Sequence, residues 1–257
     1  MGDYKEIARD ARLTVLDMIH RAGTSHIGSN FSAIDIMAVL FDKIDLDKDR
    51  FVLSAGWKAA SLYYFLWKKG RITWDELHSY CIGDSKFIGL AEPVIPEIKI
   101  AGGSMGLGLP GAVGLALAKK LKGEGGMVYV LMSDGELQIG TTWESALIAA
   151  QHKLSNLTII VDLNGFQAMG KTEDILDCGF PGVGVRELVI DGHNYDIISG
   201  AIEGWRAISD QSDIPTVIIA KTIKGKGVSF MENDNSWHYR HVNKKEYELA
   251  REEIRQS

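Results

Sequence analysis

Between Met127 and Lys221, apolar runs of strand length alternate with helix-length segments, and this alternation constrains the fold more than any other feature. "MVYVL" (127–131) is followed by "TTWESALIAAQHK", then by "LTIIVDL" (157–163) and "ELVID". A helical pattern over Tyr195–Ile208 and the run "TVIIAK" complete the series. Strands that are apolar throughout must be covered on both faces, and successive strands separated by helices pair in parallel through crossovers. The expectation is an α/β fold: a doubly wound parallel sheet flanked by helices. Upstream, Ile7, Ala11, Val15, Met18 and Ile19 share one helical face that ends at Gly23. "TSHIGSNFS" reads as a small-residue loop before a helix from Ser32, "DRFVLS" as a strand, and "KAASLYYFLWKKG" as a helix closed by Gly70. Residues 82–111 read as loop, "AVGLALAKKLK" as a helix, and 171–186 shows no clear period. With no repeat and no linker composition, residues 1–257 are expected to form one domain.

Composition excludes several function classes. The net charge is −6 and no basic block stands out, so nucleic-acid binding has no electrostatic support. No apolar run reaches membrane-spanning length, and the amphipathic N-terminal segment lacks the apolar region of a signal peptide. Glu6 breaks the myristoylation pattern. Cys81 and Cys178 are too few for a disulfide framework. A soluble cytoplasmic protein acting on small molecules, with neither nucleic acid nor membrane as partner, is the expected class.

The stretch "MSDGELQIG" (132–140) follows an apolar strand and admits two readings. Ser133 and Glu136 have capping-box spacing. Asp134 and Gly135, alternatively, sit at the carboxyl end of a parallel strand, where α/β proteins bind ligands. Thr141 and Glu144 form a second capping box directly before the apolar run of the next helix, so the cap is assigned there and 133–140 is read as loop. Asn164 follows the next strand, thirty residues on. If the two strands are parallel neighbours, Asp134 and Asn164 share one edge of the sheet. A carboxylate, an amide oxygen and a nearby carbonyl are hard ligands that leave Mg²⁺ room for phosphate oxygens.

These residues resemble a known family. "SDGELQIGTTWESALIAAQHKLSNLTIIVDLNGFQ" is similar to the thiamine-diphosphate motif, GDG followed after about thirty residues by Asn, as it occurs in transketolases. "SHIGSNFSAIDIMAVLF" resembles the family's "GHPGGSLSAADILAALY", "DRFVLSAGWKAASLYYFL" its "DRFILSKGHAAPALYAAL", and "AGGSMGLGLPGAVGLALA" its "TGSLGQGLSVAVGMALA". "TIKGKGVSFMENDNSWH" is also close to the family sequence. The match spans nearly the whole chain and is best to the N-terminal, thiamine-diphosphate-binding subunits of two-component transketolases.

The resemblance implies that Asp134, Asn164 and the carbonyl of Phe166 hold Mg²⁺ or Ca²⁺ against the diphosphate of thiamine diphosphate. It implies that the backbone at Gly135 contacts the diphosphate, and that Gly103, Ser104 and Met105 line the cofactor's rings. His238 would approach diphosphate and substrate, and His26 would face substrate. These two histidines are the catalytic candidates. His20, His78, His152, His193 and His241 are read as structural or surface residues. The implied activity is transfer of a two-carbon ketol unit from a ketose to an aldose or aldehyde. The pyrimidine-binding and C-terminal domains would come from a partner chain in an α2β2 assembly.

Three positions depart from the family. Trp57 and Leu90 stand where transketolases place histidines, and Ile139 stands where they place an interface glutamate. Cofactor binding should survive these changes, whereas substrate handling should differ. Two alternatives follow: a decarboxylating relative, akin to 1-deoxyxylulose-5-phosphate synthase or a 2-oxoacid enzyme, and a non-catalytic homologue.

Overall fold

The structure, a computed structural model, describes residues 3–172 and 179–256. Cys178 and the centre of the 171–186 stretch lie outside the described residues. Along the chain run α1 (Tyr4–Ala22), α2 (Ile27–Lys43), β1 (Arg50–Leu53), α3 (Ala59–Lys68), α4 (Trp74–His78) and α5 (Gly108–Lys122). They are followed by β2 (Val128–Ser133), α6 (Gly140–Gln151), β3 (Leu157–Leu163), β4 (Phe166–Gln167), β5 (Gly170–Lys171) and β6 (Arg186–Asp191). Last come α7 (Tyr195–Ile208), β7 (Thr216–Lys221) and α8 (Lys244–Gln256).

Five strands form one sheet in the order β1-β2-β3-β7-β6, every pair parallel, while β4 and β5 make a small antiparallel pair. Alternate side chains of each strand feed two separate cores, as the pleat requires. Phe51, Leu53, Tyr129, Leu131, Ile160 and Ile218 face the larger one, built with α1, α2, α3, α7 and α8. Val52, Val128, Val130, Ile159, Val161 and Val217 face the other, beneath α5 and α6. Helices therefore cover both faces, as the apolar strands predicted. No described helix is long and apolar enough to cross a membrane.

The expected loop "TSHIGSNFS" is mostly helix. Helix α2 begins at Ile27, and Ile27–Phe41 is buried without interruption. Gly, Ser and Asn have poor helix propensity, but the central position of α2 demands small residues: a Cβ on Gly28 would lie 3.2 Å from Cγ of Lys224. Tertiary packing overrides propensity there. Helix α4 is an addition to the sequence reading, set by a capping box in which the Glu76 N–H donates to Thr73 Oγ1 and Glu76 Oε2 accepts from the Thr73 N–H.

Two contacts bring the 91–107 segment to the carboxyl end of the sheet. The Gly56 N–H, just after β1, donates to Gly102 O at 2.8 Å, and the Ala91 N–H donates to Gly56 O at 3.0 Å. A Cβ on Gly56 would sit 2.0 Å from Gly102 O, so glycine is required for this close approach.

Candidate functional site

The parallel register sets Ser133 opposite Asp162 and Leu163 opposite Lys221. The residues that follow, Asp134, Asn164 and Thr222, consequently emerge at one end of three adjacent strands. A cavity of about 310 Å³ opens there. Its wall includes Ser133, Gly135, Asn164 and Phe166 from the strand ends and Gly103 and Met105 from the glycine-rich loop. The start of α2 contributes His26 and Ser29, and the segment before α8 contributes His238 and Tyr239. Asp134 lies just behind this wall, 1% exposed, and Ser104 is exposed in the loop without lining the cavity.

The capping assignment needs correction. Thr141 and Glu144 form no box: the Thr141 hydroxyl donates to Gly106 O at 2.9 Å, Glu144 is exposed, and α6 starts at Gly140 without a side-chain cap. Ser133 and Glu136 are paired instead, across a 3₁₀ turn over Asp134–Gln138. Glu136 Oε2 accepts from the Ser133 N–H at 2.8 Å and from its hydroxyl at 3.2 Å. Glu136 Oε1 accepts from the Gly106 N–H at 3.1 Å and from the Ser54 hydroxyl. Glu136 is fully buried and ties the ends of β1 and β2 to the glycine-rich loop. Local spacing alone could not rank the two boxes, because the deciding donors, Ser54 and Gly106, come from elsewhere in the chain.

Asp134 and Asn164 follow the ends of the adjacent parallel strands β2 and β3. Asp134 Oδ1 accepts from the Gly135 N–H at 2.9 Å, and its Oδ2 from the Gly165 N–H at 2.7 Å and the Thr172 hydroxyl at 3.1 Å. Asn164 Oδ1 accepts from the Phe166 N–H at 3.1 Å. Two carboxylate oxygens offer about four acceptor directions, so Asp134 retains one and Asn164 retains one of two. Burial, reinforced by the nearby Asp162 charge, raises the Asp134 carboxyl to about 6. A divalent cation bound here would relieve that unfavourable burial, and the donor set suits Mg²⁺ or Ca²⁺.

Two lysines missed by the sequence reading complete the site. Lys58 is fully buried beside Asp162, and its ammonium donates to that carboxylate and to Ser29 O at 3.1 Å. Burial alone would raise the Asp162 carboxyl, but Lys58, Ser32 and Thr222 hold it below the usual range. Lys224, also fully buried, donates to Asn235 Oδ1 at 2.6 Å and lies 3.0 Å from His238 Nδ1. Burial and the Lys58 charge push Lys224 down to about 8. Lys224 stood inside the quoted "TIKGKG". Lys58 was visible as a lone cation in the apolar run "GWKAASLYYFL", which is the signal that could have found it.

His26 and His238 meet edge to face, with ring centroids 4.9 Å apart, and the His26 N–H donates to His238 O at 3.0 Å. Burial and the Lys224 charge lower His26 to about 4 and His238 to about 3. Both rings are neutral at pH 7, and the Lys224 ammonium at Nδ1 leaves the His238 proton on Nε2. Lys224, whose charge has no carboxylate in contact among the described residues, lies behind the lining residue His238, and with the uncapped N-terminus of α2 it favours an anion at this end of the cavity. Diphosphate and a divalent cation both fit. Trp57 and Leu90 line the cavity, and Ile139 packs beside Gly106 at the start of α6.

The lowered histidines give a pH dependence. Unfolded imidazoles take up protons below about 6.5 while the native rings remain neutral until about 4. Native stability contributed by these groups is complete above about 6.5 and is lost as pH falls through that window. Asp134, raised to about 6, and Glu136, raised by burial, act in the opposite sense, so the histidine contribution is read from the comparison with a variant that lacks both rings. The urea midpoint of the metal-free chain is expected to be lower at pH 5 than at pH 7, and the difference to shrink in a His26→Asn/His238→Asn double variant. An unchanged difference would refute the assignment.

Comparison with known proteins agrees with this geometry. Residues 4–255 match the family described as the thiamine diphosphate binding domain of transketolase. One subunit of the apulose-4-phosphate transketolase from Actinobacillus succinogenes is 36% identical, over 98% of this chain and 97% of the relative. Human transketolase is 33% identical over 97% of this chain, which spans only 42% of that protein. The crystal structure of transketolase from Campylobacter jejuni superposes on 99% of the chain with a TM-score of 0.91 and 30% identity, the chain covering 43% of its length. The chain belongs to the transketolase family and corresponds to its thiamine-diphosphate-binding domain.

Proposed function

We propose that this chain is the diphosphate-binding subunit of a two-component, thiamine-diphosphate-dependent transketolase that transfers a two-carbon ketol unit from a ketose to an aldose or aldehyde. The observation that carries this reading is that Asn164 and the buried ammonium of Lys58 stand in the wall of one cavity, with Asp134 directly behind that wall and the buried ammonium of Lys224 against the lining residue His238. Asp134, Asn164 and the Phe166 carbonyl would hold Mg²⁺, and Lys224 and the α2 N-terminus would neutralise the diphosphate. Gly135, Gly103 and Met105 would shape the cofactor bed, with Ser104 at its exposed rim. When bound, thiamine diphosphate supplies the electron sink for the two-carbon fragment.

The chain's own residues bind, orient and donate. His238 keeps a proton on Nε2 and offers it as a hydrogen-bond donor to an anionic oxygen. His26 and Tyr239 pack edge-on against it and fix the plane of its ring. Trp57 and Leu90 replace groups able to exchange protons with one donor and one purely apolar wall, which favours a less hydroxylated substrate end.

The pyrimidine-binding and C-terminal domains are proposed to reside on a second chain, in an α2β2 assembly in the cytoplasm. Support comes from the near-complete coverage of a relative that is itself named as one subunit of a transketolase. The test is reconstitution. The purified chain is expected to bind thiamine diphosphate with Mg²⁺ but to show less than about a thousandth of the ketol transfer of the complex co-expressed with a C-terminal subunit. Full turnover by the chain alone would overturn the two-component reading, CO₂ release from pyruvate the transketolase reading, and failure to bind cofactor both.

A further inference from the structure

A second polar cluster, outside the cavity, involves a histidine that the sequence reading left structural. Arg12 of α1 donates through Nη1 and Nη2 to the two carboxylate oxygens of Asp35 in α2, at 3.0 and 2.7 Å. The Tyr195 hydroxyl donates to the same carboxylate at 2.9 Å. Burial opposes ionisation of Asp35, but the Arg12 guanidinium holds its carboxyl well below the usual range. His193, between β6 and α7, places Nδ1 2.7 Å from Asp35 Oδ2 and Nε2 2.8 Å from the backbone nitrogen of Ile223. A backbone N–H can only donate, so Nε2 accepts and the ring proton sits on Nδ1, facing the carboxylate. Asp35 therefore fixes the tautomer that lets His193 hold Ile223.

The same cluster grips the chain three residues later. Arg12 Nε donates to Lys226 O at 2.9 Å, and between the two anchors the Gly225 N–H donates to Gly28 O at 2.9 Å. Lys224 lies inside this clamped segment. Its stem is fully buried and runs past Gly28, where an added Cβ would lie 3.2 Å from Lys224 Cγ, and the next residue, Gly225, is close-packed, an added Cβ there lying 2.3 Å from Met231 O. A fully buried lysine in such packing has its ammonium placed by its backbone rather than by side-chain adjustment. That ammonium meets Asn235 and His238 and lies 5.6 Å from the centre of the Phe166 ring.

We infer that His193, oriented by Asp35 and Arg12, is a positioning residue that fixes the backbone from which Lys224 reaches the diphosphate end of the cavity. The inference rests on the thiamine diphosphate reading given above. It assigns a role in cofactor binding to a side chain that does not line the cavity.

Two substitutions separate the bonds of His193. The amide of asparagine reaches only the Nδ1 position, keeping the donor to Asp35 and losing the acceptor for Ile223. The amide oxygen of glutamine reaches the Nε2 position and restores the acceptor. Thiamine diphosphate affinity of the full chain at saturating Mg²⁺ is expected to fall about tenfold in His193→Asn and to stay within about threefold of the unaltered chain in His193→Gln. On a Lys224→Met background, His193→Asn is expected to add less than about threefold. Equal losses in the two His193 variants, full additivity with Lys224→Met, or no loss in His193→Asn would each overturn the inference.

A measurement on the unaltered chain needs no variant to fold. In ¹⁵N-histidine-labelled protein, His193 Nε2 is expected as an unprotonated acceptor with a scalar coupling to the Ile223 amide. A proton on Nε2 at pH 7 would overturn the inference whether or not cofactor binds. If the unaltered chain fails to bind thiamine diphosphate, the proposed function falls and takes the inference with it. Normal binding with the wrong variant pattern removes the inference alone.

Discussion

Asp134→Ala is expected to abolish Mg²⁺-dependent binding of thiamine diphosphate, a loss of at least about a hundredfold in affinity, larger than that for outer groups around a metal. The alanine removes the only carboxylate in the proposed donor set. It also leaves the Gly165 and Gly135 N–H groups and the Thr172 hydroxyl without their acceptor, so the strand end that carries Asn164 loses an anchor. Titration calorimetry with cofactor and Mg²⁺ measures the effect. Circular dichroism on the same sample separates lost binding from lost fold. Affinity within threefold of the unaltered chain would remove Asp134 from the metal site.

Lys58→Met should produce the largest change in stability. The substitution keeps an unbranched stem of similar volume but strips the ammonium from Asp162, a carboxylate with no solvent exposure. The hydroxyls of Ser32 and Thr222 still donate to that carboxylate, yet they carry no charge. Breaking a buried pair from one side costs about 3–5 kcal/mol because the other charge is left uncompensated. For a chain of this size the thermal midpoint should drop by roughly 10 °C. Adding Asp162→Asn to Lys58→Met should recover much of the loss, since a neutral amide is far cheaper to bury. A midpoint lowered by less than about 3 °C would show that the pair is solvated in solution.

The contrast between these residues explains what could be read in advance. Asp134 and Asn164 were legible because each ends an apolar strand, and the crossover rule makes consecutive strands of this kind parallel neighbours. Strand β3, helix α7 and strand β7 occur at the boundaries read from periodicity. Helix α2 was legible only from Ser32 onward, because "HIGSN" has loop propensities and becomes helical through contacts with Lys224 and the segment around it. Ser133 and Glu136 were set aside for a better local spacing at Thr141 and Glu144, yet three strand and loop ends converge on Glu136.

The lysines and His193 mark the other limit. Lys58 and Lys224 belong to a residue type usually found at the surface, His193 to one found equally inside and out, and no spacing links Lys58 to Asp162, which lies 104 residues away. The burial of the lysines and the partners of His193 are known only once α2, α3 and the segment after β7 are packed against the sheet.

By itself the sequence determined the parallel, doubly covered sheet and the strand ends that carry Asp134 and Asn164, because side-chain period and crossover handedness are local and nearly universal. The tertiary structure decided which carboxylate receives which cation, which capping box forms and which tautomer His193 holds. Those outcomes depend on donors brought together from distant parts of the chain and on burial that makes an unpaired charge too costly to leave.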